Sequence, residues 1–526
     1  MTLRSAPSSS SGNRASRRSR TGPAIALGGA GVFVAGSAAA LLTAFAGSAG
    51  ASATITVDSS GDGAANAANC TDITAGNCTL RDAVAAAVNG DVIVFDAAIS
   101  AIALTNGEIA TPAVSIIGPG ASALTITTTG ASGAYTMFRV SGTGDALISG
   151  VTLTKNRVKS LNVGNFTLDG VTVSGSTSTY GGALYAGNTG DLEVKNSTFG
   201  NNEASSNGGA VYVYNGGDAT ISDSVFKDND AERAGGAIYS YGVDLTLTRT
   251  LVTGNTAQES GGGVYFGPSV GNASITDSTI DSNTAGEYGG GASFSDGITV
   301  LISNSTVSNN SATGGAGLDF DGAGSNATIN NSTITANASI GGGGGIYIQA
   351  SSTLTINQST ISANTSAGTT ARYSGGGISI GSGSPMVTLS GSIVSGNASA
   401  FAGAADFGLY SNDPSDTGSF TATNSIIGEV DPRLTANGTN NIMSTNPMLG
   451  ALANNGGPTK TMALLTGSPA IDAGPNPVAT FTGNQFDQRG AGYARVVGGV
   501  VDIGAFEVQP GPAPSPDTPV VPAFTG

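Results

Sequence analysis

The sequence predicts an all-β chain, a right-handed parallel β-helix solenoid with an N-terminal cap. Three observations carry this. First, Asn202, Asn229, Asn255, Asn283, Asn310, Asn337, Asn364 and Asn397 recur at steps of 27, 26, 28, 27, 27, 27 and 33 residues, each three residues after an apolar side chain from Phe199 to Val394. A fixed period in this range marks one structural unit stacked on itself. Second, glycine clusters precede apolar-aromatic pairs in the same rhythm, as in GGALY, GGAVY, GGAIY and GGGVY. Third, the apolar residues between these landmarks alternate, as Val211 and Val213 do, and no segment of the repeat shows helical spacing. Short alternating runs are strands. A lone strand cannot bury its apolar face, so equivalent strands stack coil on coil and equivalent asparagines hydrogen-bond in a turn ladder. A propeller blade needs about 40 residues, more than this repeat supplies, and an antiparallel sandwich would not repeat its turn residues so faithfully.

Taken in order, residues 1–53 read as a signal peptide. Arg4, Arg14, Arg17, Arg18 and Arg20 precede a small apolar run from Ala24 to Ala46, and A-x-A sites follow at 44–46 and 51–53. An uncleaved membrane anchor is the alternative. Cleavage after Ala53 leaves 14 basic against 35 acidic residues, a net charge of −21. Such a surface disfavours nucleic acid and anionic membranes. Expected localisation is therefore extracellular, secreted or at the cell surface, with no membrane insertion of the mature chain. Residues 54–100 read as an N-terminal cap with a strand, a loop, a short helix over Arg81–Ala87 and a strand Val92–Phe95. Cys70 and Cys78 are the only cysteines, and in an exported chain they are expected to form a disulfide. Residues 101–402 carry the repeats, 403–508 further coils and a closing cap, and 509–526 a Pro-rich tail.

Two family resemblances accompany this. Residues 54–96, through Cys78-Thr79-Leu80-Arg81-Asp82-Ala83, resemble the CSLREA domain, with Thr and Asp at two signature positions. NNGGPTKTMALLTGSPAIDAG (454–474), DQRG (487–490) and VDIGAFE (501–507) resemble the choice-of-anchor Q domain. That resemblance implies a bacterial exported β-helix protein, often followed by a surface-anchoring signal. The tail here, ending PAFTG, lacks a Leu-Pro sortase pair, so release to the medium or a truncated sequence is the expectation. The central repeats look like polymorphic outer-membrane-type and pectin-lyase-like β-helices, a resemblance of fold, which licenses no activity.

The chain contains no histidine, which excludes Ser-His-Asp and Cys-His catalysis and a His-ligated zinc site. Neither the adjacent Asp pair nor the Gly-His-Gly motif of polygalacturonase-like hydrolases is present. Asp223, Asp228, Asp230 and Glu232, flanked by Lys227 and Arg233, form the best acidic cluster. A solvated turn is the bland account of them and calcium the functional one, with no other cofactor expected. Tyr185, Tyr212, Tyr239, Tyr265, Phe294 and Tyr347 are assigned to one repeat position, broken at Asp319 and Ser379. Alternation would point these rings outward, to stack on each other or on a glycan.

The sequence therefore leans towards a non-catalytic adhesin or scaffold that engages an extracellular polysaccharide or a cell-surface partner. A polysaccharide lyase or glycoside hydrolase is the alternative. A long loop over one β-face, with clustered acids and a Lys or Arg, would mark the enzyme. The insertion at 366–374 is the internal place where such a site is expected.

Overall fold

The structure is a computed structural model. It describes residues 52–511 apart from 72–75, 131–135, 350, 371, 373 and 382–384. The segment 1–51, most of the stretch read as a signal peptide, and most of the Pro-rich tail lie outside the described residues.

The chain winds as a right-handed parallel β-helix. Four parallel sheets form its walls, here sheet I with 15 strands, sheet II with 14, sheet III with 12 and sheet IV with 9. One coil runs from Leu184–Gly187 in sheet III to Leu192–Lys195 in sheet I, then Thr198–Gly200 in sheet II and Glu203–Ala204 in sheet IV. The next coil returns to sheet III at Val211–Tyr214, with Leu184 beside Val211 and Tyr185 beside Tyr212. Inward side chains form one continuous core from Val57 to Leu434. Its rings stack in register, Phe199 on Phe226 at 4.8 Å between centroids, and Phe266 on Phe294 on Phe320 at 4.7 and 4.9 Å.

The asparagines do form the expected ladder, in the turn between sheets II and IV. Asn310 Nδ2 donates to Asn337 Oδ1 (2.9 Å) and to Ile280 O (3.0 Å), while its own Oδ1 accepts from the backbone N–H of Asn283 (2.9 Å). The same pattern runs from Asn202 to Asn397. Asp406 ends it, its Oδ1 accepting from Asn397 N (2.9 Å) and Nδ2 (2.7 Å). A carboxylate suits the last rung because it accepts without needing a further acceptor of its own. A parallel serine ladder joins sheets I and II. Ser305 N donates to Ser332 Oγ at 3.2 Å, and Ser332 N to Ser359 Oγ at 3.1 Å.

Glycine is required where sheet IV turns into sheet III. A Cβ on Gly209 would lie 2.1 Å from Gly236 O and 2.5 Å from Asp230 O, both backbone atoms that cannot step aside. Gly209→Ala is therefore expected to cost about 2–3 kcal/mol, read as a lower guanidinium midpoint, whereas Thr220→Ala on the exposed face should stay within about 0.5 kcal/mol.

The N-terminal strand Thr54–Val57 pairs with Val92–Phe95 and starts sheet I. Between them, helix Leu80–Ala86 is opened by a reciprocal Thr79–Asp82 capping box. Cys70 and Cys78 are joined by a disulfide. Arg81 bridges Asp62 at 2.7 Å and donates to the carbonyls of Gly107 and Glu108, which ties the cap to the first coils.

The C-terminal residues behave differently from a closing lid. Coils continue to Ile442–Met443, after which the chain turns back along the flank of sheet II. There Gln488 Nε2 donates to Thr306 Oγ1 (3.0 Å), Thr333 Oγ1 to Gln488 Oε1 (2.6 Å) and Arg495 to Asn331 Oδ1 (2.8 Å). Buried Arg489 pairs with Asp487 at 2.6 Å and lies between the Tyr493 and Phe506 rings. No helix among the described residues is long and apolar enough to cross a membrane.

Candidate functional site

The outward face of sheet III carries the aromatic column, and the register corrects its membership. The residue beside Tyr265 is Ser293, and Phe294 pairs with Phe266 and Phe320. Phe294 is wholly buried in the core. The cause is a one-residue slip. In each repeat the outward position lies four residues after the glycine with positive φ: Gly208 and Tyr212, Gly235 and Tyr239, Gly261 and Tyr265. In GGGASF that glycine is Gly289, not Gly290. The column therefore reads Lys159, Tyr185, Tyr212, Tyr239, Tyr265, Ser293, Asp319, Tyr347, Ser379.

Neighbouring rings stack at 5.0–5.4 Å, with interplanar angles from 13° to 24°. Tyr212 (9% exposed) and Tyr239 (8%) are thereby covered, leaving Tyr185 and Tyr265 half-buried. A second outward column, two residues on, adds the stacked pair Tyr214 and Tyr241. Burial pushes the Tyr212 hydroxyl up to about 12, helped by the neighbouring phenols, so these rings stay neutral.

The two breaks in the column hold the chemistry. Asp319 is 0% exposed. Its Oδ2 accepts from Ser293 Oγ at 2.9 Å, and its Oδ1 has no partner. Burial, with Asp321 adding like charge, raises its carboxyl well above the usual range. Asp321 stands two residues on, outward on the same face but exposed. Its carboxyl is raised by desolvation and by Asp296. Asp296 comes from the preceding coil, where its Oδ1 accepts from Ala323 N at 2.6 Å. The Gly322 backbone packs so closely on Asp296 that a Cβ there would meet Asp296 N at 2.1 Å.

Tyrosines line this bay. Tyr265 and Ser295 hydroxyls lie 3.0 Å apart. Tyr347 donates to Gln349 Oε1 and meets the Tyr410 ring edge-on at 5.1 Å. The Tyr288 ring lies over Gly314, where a Cβ would meet it at 3.1 Å. Burial raises the Tyr347 hydroxyl, and so do Tyr410, Asp319, Asp321 and Tyr288 around it. The insertion at 366–374 supplies Arg372, whose guanidinium lies 4.9 Å from the centre of the Tyr410 ring. Ser379 Oγ, also buried on this floor, has no partner.

A pH test isolates Asp319. Its folded pKa is raised, so the stability it contributes is complete below the ordinary carboxylate range and is lost as pH rises towards the folded value. Asp319→Asn should therefore raise Tm relative to the parent at about pH 8, with the difference vanishing near about pH 3. Thermal melts of both proteins across that range read it directly.

The calcium expectation does not survive the geometry. Asp223 is held by Arg249, Oδ1 to Nε at 2.6 Å and Oδ2 to Nη2 at 2.7 Å. Asp230 lies in sheet IV beside Glu203, while Asp228 and Glu232 fall on either side of it. Among the described residues no three acidic or cysteine side chains group closely enough to hold a metal ion.

A family model described as a right handed beta helix region matches residues 209–382 and 271–446. No curated protein matches the sequence. Three of the solved structures that resemble the chain are enzymes. The mannuronan C-5 epimerase A-module of Azotobacter vinelandii is 12% identical, over 68% of this chain and 89% of that one, at a TM-score of 0.35. A pectate lyase is 12% identical over 87% and 97%, at 0.35. The catalytic unit of an α-1,3-glucanase from Streptomyces thermodiastaticus is 14% identical over 76% and 70%, at 0.31.

These likenesses show the fold alone; the leaning towards a non-catalytic chain is corrected on the chain's own carboxyls, Asp319 and Asp321 on the sheet III face with Asp296 beside Asp321. On the same side of the molecule the inserted loop lays the Arg372 guanidinium over the Tyr410 ring.

Proposed function

We propose that the chain is an exported hydrolase of an extracellular polysaccharide, with its centre in the aspartate bay of sheet III. One observation carries this reading. Asp319 and Asp321 stand on a tyrosine-lined outward face, and the solvent-facing Asp321 has its carboxyl raised beside Asp296. Glycoside hydrolysis needs one carboxyl that keeps its proton and one that gives it up, and environments that push their pKa values apart assign the roles. Asp321 donates a proton to the glycosidic oxygen as the C1–O bond breaks. Asp296 takes a proton from the water whose oxygen forms the new bond to C1. Asp319 lies buried on the same face, its carboxyl raised by burial and by the like charge of Asp321. The partly exposed rings of Tyr185, Tyr214, Tyr241 and Tyr265 offer sugars a stacking surface further along the face. The basic, then small-apolar N-terminus supports export, and residues 54–96 and 454–507 support the CSLREA and choice-of-anchor Q resemblances. The reading is tested by release of reducing ends from a panel of soluble polysaccharides, with Asp296→Asn as the control. Release by the parent and none by the variant supports it; none by the parent on any polymer refutes it.

A further inference from the structure

We infer that the polysaccharide taken by this bay is uncharged. The inference rests on the hydrolase reading and names its substrate class. The charged groups around Asp319, Asp321 and Tyr288 are all acidic, Asp296, Asp319, Asp321 and Glu287, and among the described residues the guanidinium on this part of the face is that of Arg372, over the Tyr410 ring. The column's own cation, Lys159, stands six coils from Asp319. At about 4.8 Å per coil that is roughly 29 Å away, far beyond a Debye length. Further out on the same face, Arg139 is paired with Glu108.

A uronate polymer carries a carboxylate on every residue, so it would set a row of negative charges against this acidic part of the face, on which Arg372 over Tyr410 is the cation among the described residues. A polyamine sugar would meet Arg372 where the chain leaves the bay. Two buried polar atoms on the floor, Asp319 Oδ1 and Ser379 Oγ, have no partner among the described residues. A carboxyl oxygen and a serine hydroxyl between them offer donor and acceptor functions. Sugar hydroxyls match both functions, whereas a carboxylate can only accept. The surrounding surface is aromatic and neutral: Tyr265, Tyr288, Tyr347 and Tyr410. Such rings pack against the apolar faces of uncharged sugars.

The test uses the full chain at low ionic strength with galactomannan, mixed-linkage glucan and pullulan as neutral probes, polygalacturonate as polyanion and polyglucosamine as polycation. Reducing ends are measured, together with ultraviolet absorbance of unsaturated ends. The expected result is cleavage of a neutral polymer at least about tenfold faster than either charged one, with a rate insensitive to added salt and no unsaturated ends. Faster cleavage of polygalacturonate or polyglucosamine overturns the inference and leaves the hydrolase reading standing, provided Asp321→Asn abolishes it. Cleavage of none of the five overturns both.

Discussion

Asp321→Asn is expected to lower polysaccharide cleavage by about 10²–10⁴-fold, the usual contribution of a positioned proton donor. The amide is isosteric and the side chain is exposed, so folding should be untouched and Tm unchanged. The change removes the one solvent-facing carboxyl whose proton affinity the site raises. Glutamate at the same position restores an acid on a longer arm and should recover part of the activity, which a purely structural role would not predict. Rate against pH should fall on the alkaline side as Asp321 loses its proton, and that limb should be absent from the residual activity of the asparagine variant.

Asn310→Ala should produce the largest loss of stability in the repeat. Asn310 is wholly buried at mid-ladder. Its removal leaves Asn283 N–H, formerly bonded at 2.9 Å, and Ile280 O without their side-chain partner, and cuts the link to Asn337. Each orphaned buried group costs about 1–3 kcal/mol, and the losses share neighbours, so a total of about 2–4 kcal/mol is expected. Because coils contact only their neighbours, the damage should be local. Hydrogen exchange should accelerate around residues 280–340 before the cap at 54–95 responds. Asn310→Asp should be no remedy: it removes the amide donor to Ile280 O and Asn337 Oδ1 and buries a charge.

The architecture was open to a reader of the sequence because its causes are periodic. The asparagine spacing reports the turn ladder, and the alternation around Val211 and Val213 reports the inward face. Where the period is imperfect, the reading slipped. A run of three glycines at 289–291 hides which one takes the left-handed conformation, and the error moved Phe294 from the core to the surface. The same column shows why the site was missed. Asp319 and Ser379 looked like interruptions of an aromatic ladder, because a single sequence does not reveal that a buried carboxyl with one unpaired oxygen lies there. Asp296 and Asp321 are 25 residues apart in the chain and become neighbours only through coil stacking. The insertion at 366–374 was visible as a long step in the period, and it does deliver Arg372 to this face. The flank position of residues 449–508 had no sequence signal. It depends on Gln488 and Arg495 finding Thr306 and Asn331 in coils more than 150 residues earlier.

The central claim is that the sheet III bay is a catalytic centre, and the length distribution of a polymer tests it most directly. A neutral polysaccharide incubated with the full chain and passed over a sizing column with light scattering should move progressively to smaller mass, and should stay at its starting mass with Asp321→Asn. An unchanged distribution for both proteins across the neutral, anionic and cationic polymers, or equal shortening by both, would contradict it.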